Sequence, residues 1–149
     1  MKRAGPEAAA PCIFCAIARG ETAAHTVLER DDVMAFLDHR PLFPGHCLVI
    51  PREHHETLHD LPAALLSPFM GAVQASSRAV IEAMRADGSF VAVNNIVSQS
   101  VRHLHAHVVP RRRGDGLRGF FWPRQKYASP EEMDATRDRI RAVLARAAP

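Results

Sequence analysis

The sequence predicts an α+β fold in which helices pack against one antiparallel sheet. Five short segments have the apolar or period-two patterns of β-strands, and a repeat with helical spacing runs from about Leu61 to Ala86. A second helical pattern begins at Ser129. The predicted order is a helix, three strands, a long helix, two strands and a final helix, and this order favours an antiparallel sheet covered by helices.

The first half of the chain alternates clear patterns with clear breaks. Gly20 ends the first helical pattern, and Arg30-Asp31-Asp32 forms the turn of a predicted β-hairpin. Two prolines and a glycine interrupt residues 39–45, and Pro51 ends the strand that follows. The elements predicted here are a helix at 12–19 and strands at 25–29, 33–38 and 46–50.

The long helical pattern lies between the two groups of strands. Ser67-Pro68 is either an internal helix start or a kink, and Asp87-Gly88 ends the pattern. A strand at 89–94 follows. The side chains predicted to bury one face of this helix are Met70, Val73, Ser77, Val80, Ile81 and Met84.

The last helix has strong start signals. Ser129 is an N-cap residue, Pro130 suits the first turn, and Glu132 completes a capping box. The helix is predicted to reach about Ala145, with Met133, Ile140, Val143 and Leu144 on its apolar face.

Three histidines alternate with small or apolar residues in Gln99-Ser-Val-Arg-His-Leu-His-Ala-His-Val-Val-Pro-Arg111. Period two predicts a strand that ends at Pro110, with His103, His105 and His107 on one face and about 7 Å between neighbours. Three adjacent imidazoles pack no better than leucines, and charging more than one is unfavourable. The trio therefore predicts a functional site, either a three-histidine zinc site or nucleophilic and acid–base catalysis by imidazole.

Size and composition indicate a single domain at 11–149 after a disordered tail at 1–10. The chain has no apolar run of about 18 residues and no apolar segment of signal-peptide type near its start, so we expect no membrane span and a cytoplasmic protein. Its net charge is +3, and arginines that could favour anionic ligands, or form a solvated face, are Arg111, Arg112, Arg113, Arg118 and Arg124. Basic and aromatic residues are not interleaved as in a single-strand nucleic-acid platform, so no nucleic-acid partner is expected.

Cys12 and Cys15 form a Cys-x-x-Cys pair, and Cys47 is a third cysteine within an apolar strand. In an intracellular protein such a pair more often indicates metal or redox chemistry than a structural disulfide. The alternative is that both thiols are small buried side chains. A structural zinc site needs two further ligands, and Cys47 is predicted to lie in the core.

The histidine segment and its Gln99-Ser100-Val101 lead resemble the signature of the histidine triad (HIT) nucleotide hydrolases and transferases. The resemblance extends over residues 11–113, leaving a C-terminal extension at 114–149. It implies a HIT-like sheet with a long helix, and a two-fold homodimer. Further segments that fall where the family has its other motifs are Cys12-Ile-Phe-Cys15, Ala35-Phe-Leu-Asp38, Gly45-His-Cys-Leu-Val-Ile-Pro51, Val93-Asn94 and Pro110-Arg111.

The resemblance also implies roles for individual residues. His105 would be the nucleophile, His107 would lie beside the phosphate, and His46 would stand behind the triad as a fourth active-site histidine. Zinc, the one cofactor implied, would be structural and bound by Cys12, Cys15, His54 and His103, with His55 a less favoured alternative to His54; no organic cofactor is expected. The implied nucleotide contacts are Asp38 to the ribose, Asn94 to the ribose-phosphate region, Gln99 and Ser100 to the phosphate, and Phe14, Ile17 and Leu48 around a base, which we expect to be a purine.

The expected activity is cleavage at the α-phosphate of adenosine phosphoramidates or dinucleoside polyphosphates through a covalent nucleotidyl-histidine. The alternatives are a non-catalytic nucleotide sensor and a zinc hydrolase that uses the three triad histidines as ligands. One departure is Ser98, where the family commonly has glycine, within a loop that is shorter than in many members. The sequence assigns no role to Phe120, Phe121, Trp122 and Tyr127.

Overall fold

A computed structural model describes residues 11–117 and 125–147. The described chain divides into two compact units, one ending at Asp115 and one beginning at Gly116, and each is described by itself. The single domain predicted for 11–149 stays a prediction. The predicted tail at 1–10 lies outside the described residues, as do Arg118, Phe120, Phe121, Trp122 and Arg124.

The first unit contains a five-stranded sheet in which all paired strands are antiparallel, and this confirms the predicted α+β class. The strands lie in the spatial order β1-β2-β3-β5-β4. A short 3₁₀ helix at Leu58–Asp60 precedes α2. The elements are α1 at Ile13–Ala18, β1 at Thr26–Glu29, β2 at Val33–Leu37, β3 at Cys47–Pro51, α2 at Ala63–Ala83, β4 at Gly88–Val93 and β5 at Ala106–Arg111.

The two faces of the sheet have different partners because successive strand residues point to opposite sides. One face, which includes Val49 and Val108, packs against α2 in a core that contains Phe69. The other face, which includes Phe36 and Leu48, packs against Phe14 of α1. This arrangement leaves the α1 face, opposite the long helix, available for the histidines.

The buried face of the long helix agrees with the prediction at Val73 and Val80 and differs from it at other positions. α2 continues through Pro68 without a break, so Ser67 does not start a new helix. The helical spacing predicts a buried Met70, but its side chain is 51% exposed, whereas the neighbouring Phe69 is fully buried. The larger aromatic ring takes the core position, and this rotates the buried face by about one residue. The buried residues of α2 are Phe69, Ala72, Val73, Ser76 and Val80.

The prediction that all three histidines lie within one strand is wrong. β5 begins at Ala106, so it contains His107 but neither His103 nor His105. Pairing of β5 with β3 and with β4 stops at Ala106. Before that point the Leu104 N–H donates to the carbonyl oxygen of His55, at 2.7 Å. The segment therefore leaves the sheet where β4 ends, although β3 continues to Pro51.

Pro110 does not end the strand as predicted, because it lies inside β5 opposite Ser89 of β4. A proline has no N–H for the ladder and is normally excluded from paired strands. Pairing with β3 extends only to Val108, so one side of the strand is already without a ladder partner at Pro110. The missing N–H therefore removes no hydrogen bond on that side.

The second unit contains α3 at Pro130–Ala147, close to the predicted helix. The Ser129 hydroxyl accepts the Glu132 N–H at 3.2 Å, as expected for an N-cap. Tyr127 is half exposed. The predicted apolar residues Met133, Ile140, Val143 and Leu144 are all exposed. Within the described residues, neither α3 nor any other helix has the length and apolar character needed to cross a membrane.

Candidate active site and metal site

His46 and His107 form a hydrogen-bonded pair on the α1 face of the sheet. His46 immediately precedes β3, and its Nε2 lies 2.9 Å from Nδ1 of His107. The Leu42 N–H donates to Nδ1 of His46 at 3.1 Å, so the neutral His46 carries its proton on Nε2 and donates it to His107. His107 then accepts at Nδ1 and carries its own proton on Nε2, where it can donate to a ligand.

The orientation of His105 is fixed by the main chain. Its Nδ1 lies 2.7 Å from the carbonyl oxygen of His103, and a carbonyl can only accept, so Nδ1 carries the proton. The ring is buried and meets the edges of two other rings, those of Phe14 and His107, at centroid distances of 5.2 and 5.0 Å. Nε2 of His105 therefore keeps a free lone pair, as nucleophilic attack requires.

Burial keeps the histidine pair neutral near pH 7. Burial, followed by the neighbouring His105 and His46, lowers the pKa of His107 to about 4. Burial also lowers the pKa of His46. Asp38 acts in the opposite direction on both rings and raises the pKa of each.

We expect the free energy of unfolding to fall as the pH is lowered from about 6.5 to about 4. His107 takes up a proton in this interval only in the unfolded chain, because its pKa in the folded protein is about 4 against an ordinary value of 6.5. The loss should be about 2 kcal/mol, after allowance for partial exposure of the ring. Urea unfolding of the wild type and of His107→Gln across this range measures it. Loss of any bound metal in acid should affect the wild type and His107→Gln equally. If the free energy of unfolding therefore has the same pH slope in both proteins, the prediction is wrong.

A second cluster joins Cys12, Cys15, His54 and His103, whose ligand atoms all lie within 4.8 Å of one another. Nδ1 of His103 is 3.4 and 3.5 Å from the two sulfur atoms, and Nδ1 of His54 is 3.3 Å from Sγ of Cys15. A tetrahedral zinc ion with ordinary bond lengths places sulfur and nitrogen ligands about 3.5 Å apart. The four side chains predicted as ligands therefore have the spacing that zinc requires.

The protonation of this cluster also suits a cation. Nε2 of His103 donates to the carbonyl oxygen of Pro51 at 2.8 Å, which leaves a lone pair on Nδ1 facing the thiols. Burial, followed by the adjacent Cys12 thiol, raises the pKa of Cys15. A dication between the sulfur atoms would favour both thiolates. His55, the alternative ligand, is not in the cluster.

Cys47 is buried in the core between the sheet and α2, as predicted. Burial raises the pKa of its thiol.

The apolar residues predicted around a base lie together on the α1 face. Phe14 and Leu48 are buried and Ile17 packs beside them. Leu48 lies directly opposite His107 in the β3–β5 register, so both side chains point to the same face of the sheet. The structure thus places the predicted base contacts and His107 on one side of the sheet.

The loop before the histidines is held by its own polar side chains. The Gln99 amide donates to the carbonyl oxygen of Glu56 at 2.5 Å and accepts the Ile96 N–H at 3.0 Å. The Asn94 amide donates to the carbonyl oxygen of Ser98 at 3.3 Å, while Ser100 is exposed. Ser98 has a φ of 59°, a conformation that favours glycine. The roles predicted for Asn94, Gln99 and Ser100 in phosphate binding stay predictions.

Sequence reasoning missed the contact between Asp38 and His46. Oδ2 of Asp38 lies 3.8 Å from Nδ1 of His46, and Oδ1 accepts the Arg40 N–H at 2.9 Å. The two residues flank a loop with two prolines, and no periodic pattern predicts how such a loop folds back. The predicted role of Asp38 at the ribose stays a prediction.

The fold and the histidine network define a protein of the histidine triad class. The sequence profile of the HIT domain matches residues 19–114, and the chain belongs to this family. Its structural neighbours share the fold. A HIT family protein from Bacillus subtilis is 33% identical with a TM-score of 0.78, and the match covers 88% of this chain and 95% of that one. A Zn-bound histidine triad family protein from Mycobacterium smegmatis is 34% identical with a TM-score of 0.68, over 89% of this chain and 96% of that one.

Several relatives carry names that describe an activity. The chain is 36% identical over 121 residues to an adenosine 5′-monophosphoramidase from Saccharomyces cerevisiae, covering 78% of this chain and 73% of that protein. It is 35% identical over 108 residues to an adenylylsulfatase from Arabidopsis thaliana, covering 71% of this chain and 55% of that protein. An uncharacterized HIT-like protein from Methanocaldococcus jannaschii is 39% identical over 107 residues, covering 70% of this chain and 82% of that protein.

Proposed function

We propose that this protein is a nucleotide hydrolase of the phosphoramidase type, which cleaves at the α-phosphate through a nucleotidyl group on His105. One observation carries the proposal. The His103 carbonyl fixes the proton of His105 on Nδ1 and leaves the lone pair of Nε2 free to attack. The names of the yeast and plant relatives support the same reaction class.

The reaction proceeds in two displacements. In the first, Nε2 of His105 forms a bond to phosphorus while the bond from phosphorus to the leaving nitrogen or oxygen breaks. The leaving group takes its proton from Nε2 of His107, and the His46–His107 pair must carry one proton more than in its neutral state, so that no imidazolate remains. In the second, water attacks phosphorus and gives a proton to Nε2 of His107, the bond to His105 breaks, and a nucleoside monophosphate leaves.

Zinc belongs to the proposal as a structural ion held by Cys12, Cys15, His54 and His103. When bound, it ties the start of α1 to the segment that carries His103. The alternative zinc hydrolase would need the three triad histidines as ligands of one ion. The contacts do not favour it, because Nδ1 of His103 faces the thiols and Nδ1 of His107 bonds to His46. A cytoplasmic location and a two-fold homodimer remain predictions.

We expect an adenosine 5′-phosphoramidate to be turned over faster than a dinucleoside polyphosphate. The imidazole of His107 alone can protonate a small amine as it leaves, whereas a nucleotide leaving group needs further contacts to its phosphates. The test is steady-state turnover of both substrates, of adenylyl sulfate and of a nucleotide sugar supplied with phosphate. Turnover of none of them, together with tight AMP binding, would overturn the enzyme proposal and support the nucleotide sensor.

A further inference from the structure

Asp38 is held next to the histidine pair by the protein itself. It follows the last residue of β2, and its backbone N–H donates to the carbonyl oxygen of His46 at 2.9 Å. Oδ1 is occupied by the Arg40 N–H, while Oδ2 faces Nδ1 of His46 at 3.8 Å. Its side chain is only 17% exposed. A carboxylate in this position acts on the pair whether or not a ribose is bound.

We propose that Asp38 is a positioning residue for proton transfer, the charge partner that lets the His46–His107 pair take up one proton when a nucleotide phosphate binds. The inference rests on the proposed function and adds to it. The role predicted for Asp38 from the family resemblance is a contact to the ribose hydroxyls. The role inferred here is electrostatic and directed at the histidines.

The pair has two consistent arrangements of protons. In the neutral arrangement, Nδ1 of His46 accepts the Leu42 N–H, and Nε2–H of His46 donates to His107. In the arrangement with one more proton, Nδ1 of His46 is protonated and turns from the Leu42 N–H to Oδ2 of Asp38. Nε2 of His46 then accepts from Nδ1–H of His107, and His107 keeps a transferable proton on Nε2. Of the two described groups near Nδ1 of His46, the Leu42 N–H is a donor and Asp38 is the acceptor that the second arrangement needs.

The charges around the pair favour proton uptake only when a phosphate is present. Asp38 and His105 are the titratable side chains that act on its two rings, and His39 lies beside Asp38. Asp38 raises the pKa of both rings and His105 lowers it, while His39 lies 4.0 Å from Oδ1 of Asp38 with its side chain 89% exposed. With burial added, the pair is neutral without ligand. A bound phosphate brings further negative charge to the same pocket, and Asp38 and the phosphate together would favour the cation.

Proton uptake on AMP binding tests the inference without measuring turnover. Calorimetry at pH 6 in buffers with different ionisation enthalpies gives the number of protons taken up. The wild type should take up about 0.5 to 1 proton, and Asp38→Asn, which keeps the shape but not the charge, less than about 0.2. His39→Ala removes the other titratable neighbour of Asp38 and should match the wild type.

A second measurement separates this role from the ribose contact. In the ligand-free protein, ¹⁵N NMR should show the pKa of His107 lower in Asp38→Asn than in the wild type by at least about 0.5 pH unit. An unchanged value in the variant would overturn the inference even if the variant binds no AMP. Wild-type protein that binds AMP without proton uptake would also overturn it and would leave the proposed function intact. Wild-type protein that does not bind AMP would overturn both.

Discussion

Replacing His105 by alanine is expected to reduce kcat for an adenosine phosphoramidate by at least about 10⁴-fold, because the variant has no atom that can form the bond to phosphorus. Water must then attack directly, and only binding and orientation are left to accelerate the reaction. The measurement is single-turnover and steady-state kinetics of purified wild type and variant. A loss of less than about tenfold would exclude His105 as the nucleophile.

Two controls distinguish a missing nucleophile from a damaged fold. His105→Ala should bind AMP within about threefold of the wild type, because the ring makes no hydrogen bond that its neighbours need for their own orientation. His25→Ala removes an exposed histidine that is distant in sequence from His105, and this variant should keep full turnover. Loss of AMP binding in His105→Ala would show that the ring supports the pocket and does not act only as a nucleophile.

The second large effect concerns the cysteine pair. Cys15→Ser is expected to lose zinc and to lower the free energy of unfolding by about 3 kcal/mol or more, equivalent to a fall in Tm of about 10 °C. The reason is that Cys15 contacts both His54 and His103, so its loss leaves a three-ligand site that connects α1 to the rest of the domain less firmly. Elemental analysis and thermal unfolding measure the two effects.

The third cysteine supplies the matched control for that experiment. Cys47 lies on the opposite face of the sheet, in the core against α2. Cys47→Ala should therefore keep one zinc per chain, even if the loss of packing lowers its free energy of unfolding. A chelator should lower the Tm of the wild type and of Cys47→Ala by similar amounts but leave Cys15→Ser unchanged. Wild-type protein that purifies without zinc and gains no stability from added zinc would contradict the proposed metal site.

The sequence predicts the elements of this fold well because most of them depend on local patterns. The hairpin at β1 and β2, the long helix and the N-cap at Ser129 each follow from spacing within one segment. The grouping of Cys12 and Cys15 with His54 and His103 also agrees with the set implied by the family resemblance. That set could not be obtained from spacing alone, since its members come from three separate segments.

The errors concern features that depend on distant parts of the chain. Alternation predicts a strand through His103 and His105, but pairing with both neighbouring strands stops at Ala106, and the histidine segment does not encode where that pairing stops. The same cause explains Pro110, which is tolerated because β3 no longer pairs there. The contact of Asp38 with His46 depends on how the loop at residues 39–45 folds.

The group that orients His105 is a peptide carbonyl, and every amino acid supplies one. No exchange of side chains at position 103 can delete it, although such an exchange can remove the metal ligand that the same residue provides. A complete mutational scan of the chain would therefore detect only the side-chain role of His103 at the proposed metal site and would miss the hydrogen bond by which its carbonyl orients His105. Replacing the peptide bond after His103 by an ester would weaken that carbonyl as an acceptor, and it would also remove the Leu104 N–H that donates to the carbonyl oxygen of His55. In this protein, part of the proposed catalytic site is set by the path of the backbone and not by the identity of any side chain.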